Sequence, residues 1–295
     1  MKKFILSLAA ILVMAFGAQA QLLWRVSGNG SKGQSYLFGT HHIAPTTMLD
    51  SVKGLKEALK EVEAVGGEID MSVMSDPSAQ MAIMQWGMAP QDSLLTMVLT
   101  PSQADSVNVV FKQLSGGQLD NAVEQMAMLK PALISTQLAM LESLQAFPDF
   151  DQSQQLDATV QQLGREAGKE LVAMETLDQQ MGFLMGNPIS EQVDDLMSVV
   201  RDSQSGKNTE NAKKLADAYM AQDLDAVAAL MFKEDMDEAQ MKRLITDRNA
   251  NWAVKLAEIL PDKTLFLAVG CGHLPGPEGL IELLRKAGYT VEPVK

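Results

Sequence analysis

The sequence of 295 residues contains few cysteines, histidines and aromatic residues. It has one Cys and three His, and Phe, Trp and Tyr together make up 5%. A single cysteine excludes an intrachain disulfide and every CxxC zinc or redox motif. The net charge of −13 lacks the basic surplus that nucleic-acid phosphates require, so we predict no nucleic-acid partner. Any metal site must therefore be built from histidine, aspartate and glutamate.

Long apolar runs are also scarce, and one occurs at the N-terminus. Lys2 and Lys3 precede an apolar stretch from Phe4 to Phe16, and a small-x-small sequence ends at Ala20. This pattern predicts a signal peptide over residues 1–20, cleavage after Ala20, and a secreted or periplasmic protein. Since no second apolar run reaches the ~20 residues of a spanning helix, we predict no membrane span after cleavage.

The remaining chain alternates short apolar segments with long helical patterns. Apolar segments bounded by turn residues predict strands at residues 22–26, 35–39, 65–69, 170–174, 264–269 and 290–294. Helical periodicity predicts helices at residues 51–62, 78–87, 102–114, 119–128, 131–145, 155–168, 189–203, 208–220, 224–231, 237–259 and 279–287. We therefore predict one α/β (α+β) domain over residues 21–295. Its central sheet is built from the N- and C-terminal segments, and a large helical insertion spans roughly residues 71–259.

A glycine-rich segment at residues 28–33, GNGSKG, matches the dinucleotide-binding pattern GxGxxG. That pattern binds pyrophosphate at the N-terminus of the helix that follows. Here a predicted strand follows instead, so we interpret the segment as a hairpin turn.

All three histidines lie in two glycine-flanked loops that follow predicted strands. The sequence GTHH contains Gly39, His41 and His42, and GCGH contains Gly270 and His273. Each loop fits the pattern Gly-x-x-His. Ligands of open α/β sheets bind at the carboxyl ends of the strands, and glycine leaves room beside an imidazole. We expect the two loops to form one site.

Two acidic residues, Glu68 and Asp70, end another predicted strand in the sequence GGEID. If this strand joins the same sheet edge, Glu68 completes a set of two histidines and one carboxylate, which suits a divalent transition ion. The alternative is a strand end with solvated acids. For Cys271, a packed small residue is favoured over a metal-bound thiolate.

Methionine is abundant, with twenty in the chain, and several follow the GGEID strand: Met71, Met74, Met81, Met84 and Met88. Flexible thioethers can line a groove for an extended peptide. In a chain this rich in methionine, we favour the interpretation that they fill the core.

Several stretches resemble the TraB/GumN family, which includes the Tiki metalloproteases and the pheromone-shutdown proteins. They are LLWRVSGNGSKGQSYLFGTHHIAP, GGEID, QLDATVQQLGREAGKELVAMETLDQQ, TDRNANWAVKLAEIL and LFLAVGCGHLPGPEGLIELLRKAGYTVEPV. The resemblance covers most of the chain after residue 20.

This resemblance implies a fold like that of erythromycin esterases and a metal-dependent hydrolase that acts on a peptide or protein. It implies that His42, His273 and Glu68 form a site for a divalent metal, namely manganese, cobalt or zinc. Glu175 and Arg248 occupy further motif positions of the family. His41, which adjoins His42, is a second candidate ligand.

Two questions of role stay open at this point. Glu68 is either a third metal ligand or the general base, and Arg248 stabilises an oxyanion or binds a substrate carboxylate. The alternative to an enzyme is a non-catalytic protein that binds a peptide or an envelope component on the same surface.

Overall fold

The computed structural model describes residues 21–148, 150–151, 154–232 and 238–295. The predicted signal peptide lies outside the described residues. The strands are β1 (Leu23–Ser27), β2 (Ser35–Thr40), β3 (Ala64–Gly67), β4 (Glu170–Ala173), β5 (Leu265–Gly270) and β6 (Thr290–Pro293). The α-helices are α1 (Met48–Ser51), α2 (Leu55–Glu61), α3 (Pro77–Gly87), α4 (Leu95–Val98), α5 (Pro101–Leu114), α6 (Ala122–Gln125), α7 (Pro131–Ala146), α8 (Leu156–Glu166), α9 (Leu177–Met185), α10 (Ile189–Gln204), α11 (Lys207–Met220), α12 (Leu224–Met231), α13 (Glu238–Met241), α14 (Asp247–Ile259) and α15 (Leu280–Lys286). Met71–Ser75 and Cys271–His273 are 3₁₀ segments, and Lys242–Thr246 is a π-helical segment.

The strands form one mixed sheet in the order β4-β3-β5-β2-β1-β6. The four strands from β4 to β2 are parallel, and β1 is antiparallel to both of its neighbours. The mixed α/β architecture and the hairpin of β1 and β2 are therefore confirmed. The hairpin turn contains Gly28 and Gly30 at φ values of 81° and 76°, a region that glycine adopts without strain.

The parallel arrangement places four carboxyl ends at one edge of the sheet. Strands β2 and β5 are paired with Thr40 opposite Gly270, and β3 lies on the other side of β5. Every residue of β2 is buried, as expected for a strand inside a sheet covered on both faces. The loops after β2, β3, β4 and β5 carry the candidate site residues and meet at this edge.

The apolar side chains form two separate clusters. One packs the sheet against its flanking helices and includes Phe38, Phe266 and Trp252. The other lies among α4, α5, α6, α7 and α10, around Phe111 and Ile134. This part of the predicted insertion therefore has a core of its own, whereas α8, α11, α12 and α14 pack in the sheet cluster and β4 is a strand of the sheet. Within the described ranges, no helix combines the length and apolar character that a membrane span requires.

Some predicted elements were wrong in extent. The helix predicted at residues 51–62 is shortened to α2, which begins after Gly54 at a φ of 79°, and α1 precedes it as a separate turn that was not predicted. The helix predicted at 237–259 contains the π-helical segment, and that predicted at 119–128 is reduced to α6. Helix α9 was not predicted, although Thr176 and Gln179 form a capping box at its start.

The methionine prediction was also wrong. None of the five methionines that follow β3 is buried: Met74, Met81 and Met84 are 39%, 60% and 66% exposed. They lie on the 3₁₀ segment, on α3 and, for Met88, at the C-cap of α3, all outside the two apolar clusters.

Candidate functional site

A cleft of about 520 Å³ opens at the carboxyl edge of the sheet. His42, Glu68, Arg248 and His273 all line it. These residues come from the loops after β2, β3 and β5 and from α14, and the parallel sheet brings them together. The four residues predicted to carry the chemistry therefore share one cleft.

His42 is held by a carboxylate on α8. Its Nδ1 lies 2.9 Å from Oδ2 of Asp157, and the Thr40 hydroxyl donates to the other oxygen of that carboxylate. Since a carboxylate only accepts, Nδ1 of His42 carries the hydrogen. The charge of Asp157 and this hydrogen bond raise the pKa of His42 to about 9. Many protein atoms lie around the His42 ring, but 69% of its side-chain surface is accessible. Nε2 is therefore available to the cleft.

His273 is held by an amide on α14. Its Nδ1 lies 2.7 Å from Oδ1 of Asn249, whose Nδ2 donates to the carbonyl oxygens of His273 and Glu278. The two carbonyls fix the orientation of the amide, so Oδ1 accepts and Nδ1 of His273 donates. Burial against Trp252 and its surroundings lowers the pKa of His273 to about 4. The ring is neutral at neutral pH, and its lone pair is on Nε2.

Arg248 joins two carboxylates beneath the cleft. Its Nη2 donates to Glu68 and to Glu175 at 2.5 Å each, and its Nε donates to Glu175 at 3.2 Å. Nη1 of the same guanidinium lies 3.2 Å from Nε2 of His273. Arg248 and Glu175 are 5% and 6% exposed, so this charge network is shielded from solvent. It fixes the position of the permanent positive charge at the cleft floor.

Glu68 is hydrogen-bonded on both of its oxygens. Oε1 accepts from the Gly270 N–H at 2.9 Å, and Oε2 accepts from Gln180 as well as from Arg248. Burial by itself raises the pKa of this carboxyl. The neighbours His273, Arg248 and His42 outweigh the burial and hold that pKa at about 2. Glu68 is therefore an ionised group that holds its neighbours in place, and such a carboxylate is a weak base.

The glycines of the two loops make room for this arrangement. A Cβ built on Gly270 would lie 3.2 Å from Oε1 of Glu68 and 3.6 Å from Cδ2 of His273. A Cβ built on Gly39 would lie 3.1 Å from Cα of Cys271, at the point where the two loops touch. The predicted supporting roles of Gly39 and Gly270 thus correspond to close approaches of backbone and side chains.

Three nearby residues have other surroundings, although His41 and Cys271 also line the cleft. His41 packs between the rings of Phe147 and Tyr219, and burial lowers its pKa to about 4. Asp70 points away from the cleft and accepts from the N–H of Ser72 at the start of the 3₁₀ segment. Cys271 is 4% exposed and burial raises the pKa of its thiol to about 12, which confirms the prediction of a packed residue.

The predicted ligand set of two imidazoles and Glu68 is not preassembled. Among the described residues, no three His, Cys, Asp or Glu side chains are grouped so that they could hold an ion. The reason is Arg248, whose guanidinium contacts both Glu68 and Nε2 of His273. The donor chemistry at the two imidazoles fits a divalent ion, because each ring is held at Nδ1 by an oxygen, which leaves Nε2 as the ligand atom. Metal binding would require Nε2 of His273 to exchange its contact with Arg248, and Nε2 of His42 to lose its proton.

Sequence reasoning gave no role to Asp157, Asn249 or Gln180. Asp157 had a detectable signal, because it lies on the buried face of α8 together with Val160 and Gly164. A charged residue on a buried helix face requires a partner. The signal for Asn249 is similar, since it is fully buried on the same face of α14 as Trp252 and Leu256.

Comparison with known proteins agrees with the predicted resemblance. No solved structure matches the chain, so the likeness to erythromycin esterases stays a prediction. A protein named Metalloprotease TIKI homolog, from Nematostella vectensis, is 35% identical over 65 residues, which cover 21% of this chain and 14% of that protein. The chain thus aligns with a small part of that relative's length. The model of the TraB/PrgY/gumN family matches residues 22–293, and the chain therefore belongs to this family.

Proposed function

We propose that the cleft is the active site of a metal-dependent hydrolase that cleaves peptide bonds. The observation that carries the proposal is the matched setting of His42 and His273. Each ring is held at Nδ1 by an oxygen, from Asp157 in one case and Asn249 in the other, and each faces the same cleft. This outer hydrogen bond is typical of histidines that bind a metal through Nε2.

His42 and His273 would hold the ion, which is manganese, cobalt or zinc. When bound, such an ion lowers the pKa of a water molecule and polarises a carbonyl group. Glu68 would become a third ligand only by exchanging its contact with Arg248. In the arrangement described here, Glu68 instead positions Arg248 and the Gly270 backbone.

Through its permanent positive charge, Arg248 would stabilise a substrate carbonyl oxygen that gains negative charge. Its N–H groups already donate to Glu68, Glu175 and the Leu244 carbonyl, and they face His273. Arg248 would therefore act as a fixed charge and not as a hydrogen-bond donor to the substrate. Because both carboxylates are held in the interior, the guanidinium does not have to reorganise when charge develops nearby. We assign to Arg248 this electrostatic role.

The metal is tested by calorimetric titration of the mature protein with manganese, cobalt and zinc in two buffers of different ionisation enthalpy. His42 is protonated at pH 7 because its pKa is about 9, whereas His273 is already neutral. Binding should therefore release one proton, and the apparent affinity should rise about tenfold per pH unit up to about pH 9. His42→Ala and His273→Ala should each abolish binding. Binding that is indifferent to both substitutions contradicts the proposed site.

The hydrolase is tested with a peptide library and mass-spectrometric detection of new termini. Cleavage by the metal-loaded protein, lost in His42→Ala and His273→Ala, supports the proposal. Asp70→Asn is the control, since Asp70 lies outside the cleft. Peptide binding without cleavage, retained in both histidine variants, favours the alternative of a non-catalytic binding protein.

We also infer that the chain is exported and cleaved after Ala20. The support is the charged, apolar and small-residue pattern of residues 1–20. N-terminal sequencing of the protein recovered outside the cytoplasm should begin at Gln21. An intact Met1 in the exported protein would contradict the inference.

A further inference from the structure

One wall of the cleft is apolar and rich in methionine. The 3₁₀ segment contributes Met71 and Met74, α9 contributes Met181, Leu184 and Met185, and α12 contributes Met231. Ile83 of α3 and Ile245 of the π-helical segment extend the same surface. We call the six residues Met71, Met74, Met181, Leu184, Met185 and Met231 the methionine wall.

The wall lies directly beside the site chemistry. A Cβ built on Gly272 would lie 2.5 Å from Cε of Met231, so this thioether packs on the loop that carries His273. Gln180 of α9 donates to Glu68, and the same helix contributes Met181 and Leu184 to the wall. A group bound near His273 therefore contacts the wall.

The wall is held in place by ordered helices. The side chain of Trp86 on α3 donates to Asp178 on α9 at 2.7 Å, which ties these two helices together. The capping box of Thr176 and Gln179 fixes the start of α9. The thioether side chains themselves are unbranched and flexible, so a rigid scaffold presents an adaptable apolar surface.

The charges of the cleft have partners within the protein. Asp157 pairs with His42, and Arg248 pairs with Glu68 and with Glu175 behind it. Among the residues described as lining the cleft, none is a lysine and none is Phe, Tyr or Trp. A charged substrate side chain would therefore have to break an internal ion pair, and a sugar ring would find no aromatic platform.

We infer, resting on the proposed function, that the substrate is a polypeptide segment with a large aliphatic side chain beside the scissile bond and no charge in that neighbourhood. The methionine wall binds this side chain, and its flexibility admits leucine, isoleucine, valine and methionine alike. The wall thus determines which peptide bonds are presented to His42, His273 and Arg248.

The first test uses a matched series of fluorogenic peptides that differ at one position, occupied by Leu, Met, Ala, Ser, Asp or Lys. We expect kcat/KM to be at least ~10-fold higher for Leu and Met than for Ala, and lower still for Asp and Lys. The double variant Met74→Gln/Leu184→Gln changes two wall residues that are 39% and 40% exposed, so the fold should tolerate it. It should reduce the Leu-to-Ser ratio at least ~10-fold.

The matched control is Met97→Gln/Leu163→Gln, which replaces one Met and one Leu that are 61% and 41% exposed and lie outside the cleft. This control should keep the wild-type ratio. Equal rates for Leu and Ser peptides, or an equal loss of the ratio in both double variants, would overturn the inference.

A second measurement separates failure of the inference from failure of the proposed function. Uncleavable N-methylated Leu and Ser peptides are titrated into His42→Ala. One result would separate the two proposals: the wild-type protein cleaves no peptide, but His42→Ala binds the Leu peptide at least ~10-fold more tightly than the Ser peptide. If Met74→Gln/Leu184→Gln removes this preference, the inference about the methionine wall stands and the proposal of a hydrolase fails. Equal binding of both peptides overturns the inference about the methionine wall.

A series of p-nitrophenyl esters tests whether the wall instead binds an acyl chain. Ester cleavage that increases with acyl-chain length, without cleavage or selective binding of peptides, also overturns the inference.

Discussion

Asp157 Oδ2 lies 2.9 Å from His42 Nδ1, although the two residues are 115 positions apart in the sequence. The contact joins the first turn of α8 to the loop that follows β2. The second loop repeats the arrangement, with Oδ1 of Asn249 2.7 Å from His273 Nδ1. The same hydrogen-bonding principle thus orients both imidazoles, once with a charged oxygen and once with a neutral one. This difference, together with burial, separates their pKa values.

Asp157→Asn should lower the pKa of His42 from about 9 toward the ordinary value of about 6.5, because the charge that favours the imidazolium is removed. Between these two values the wild-type ring is protonated and the variant ring is neutral. An NMR titration of the His42 ring measures the change directly. Asp70→Asn removes an acid outside the cleft and should leave the pKa of His42 unchanged; an equal shift in both variants would contradict the assignment.

Asn249→Leu should destabilise the protein by about 2–4 kcal/mol, because the His273 N–H and two carbonyl oxygens lose their partner in the interior. The His273 N–H at Nδ1 should also lose its hydrogen bond, which a shift of the Nδ1 resonance in ¹⁵N NMR of the imidazole detects, whereas Nε2 still faces Arg248. Asn251→Leu is the matched control, since Asn251 is exposed on the same helix. Its free energy of unfolding should change by less than about 0.5 kcal/mol. An unchanged Nδ1 resonance in Asn249→Leu would show that Asn249 does not position the ring.

Arg248→Met should destabilise the protein by about 3–5 kcal/mol, because it leaves Glu68 and Glu175 buried without their cationic partner. Adding Glu68→Gln should recover part of this loss, since one of the uncompensated charges is then removed. A double-mutant cycle from denaturant unfolding measures the coupling. Arg25→Met is the control: its ion pair with Glu292 is largely exposed and should contribute less than about 1 kcal/mol. Strictly additive effects of Arg248→Met and Glu68→Gln would contradict the pairing.

Gly270→Ala should impair metal binding and any catalysis at least ~10-fold while keeping the fold, because its methyl group would lie 3.2 Å from Oε1 of Glu68 and press on that carboxylate. Affinity for manganese or cobalt provides the measurement. Gly182→Ala is the matched control on α9, where a Cβ would meet Trp86 at an ordinary 3.8 Å. That substitution should leave binding unchanged and stabilise the helix by about 0.5–1 kcal/mol. Equal effects of the two substitutions would remove the special role of Gly270.

Most of the regular structure was predictable from local pattern. All six strands lie within a few residues of the predicted segments, because short apolar runs bounded by turn residues are a local signal. Helix α9 was missed, and its capping box was the available signal. The helix predicted at 51–62 begins only at Leu55, after the left-handed backbone angle of Gly54, which helical periodicity does not report.

The order of the strands was not predictable in the same way. Strand β5 follows β4 by more than ninety residues, yet it lies between β3 and β2. This order results from the packing of the helices over both faces of the sheet. The convergence of the two histidine loops with Glu68 follows from it, so the pattern Gly-x-x-His predicted a shared site but not its geometry.

The sequence by itself determined which groups are available: three histidines, one cysteine, the acidic strand end with Glu68 and the glycines beside it. Tertiary structure decided how those groups are used. It paired His42 with Asp157, oriented His273 through Asn249, and placed Arg248 against the carboxylate predicted to bind a metal. The physical reason is that hydrogen bonds and buried ion pairs depend on distances between residues remote in the chain. Side-chain chemistry can be read from the sequence, whereas these distances are set only when the sheet and its helices pack.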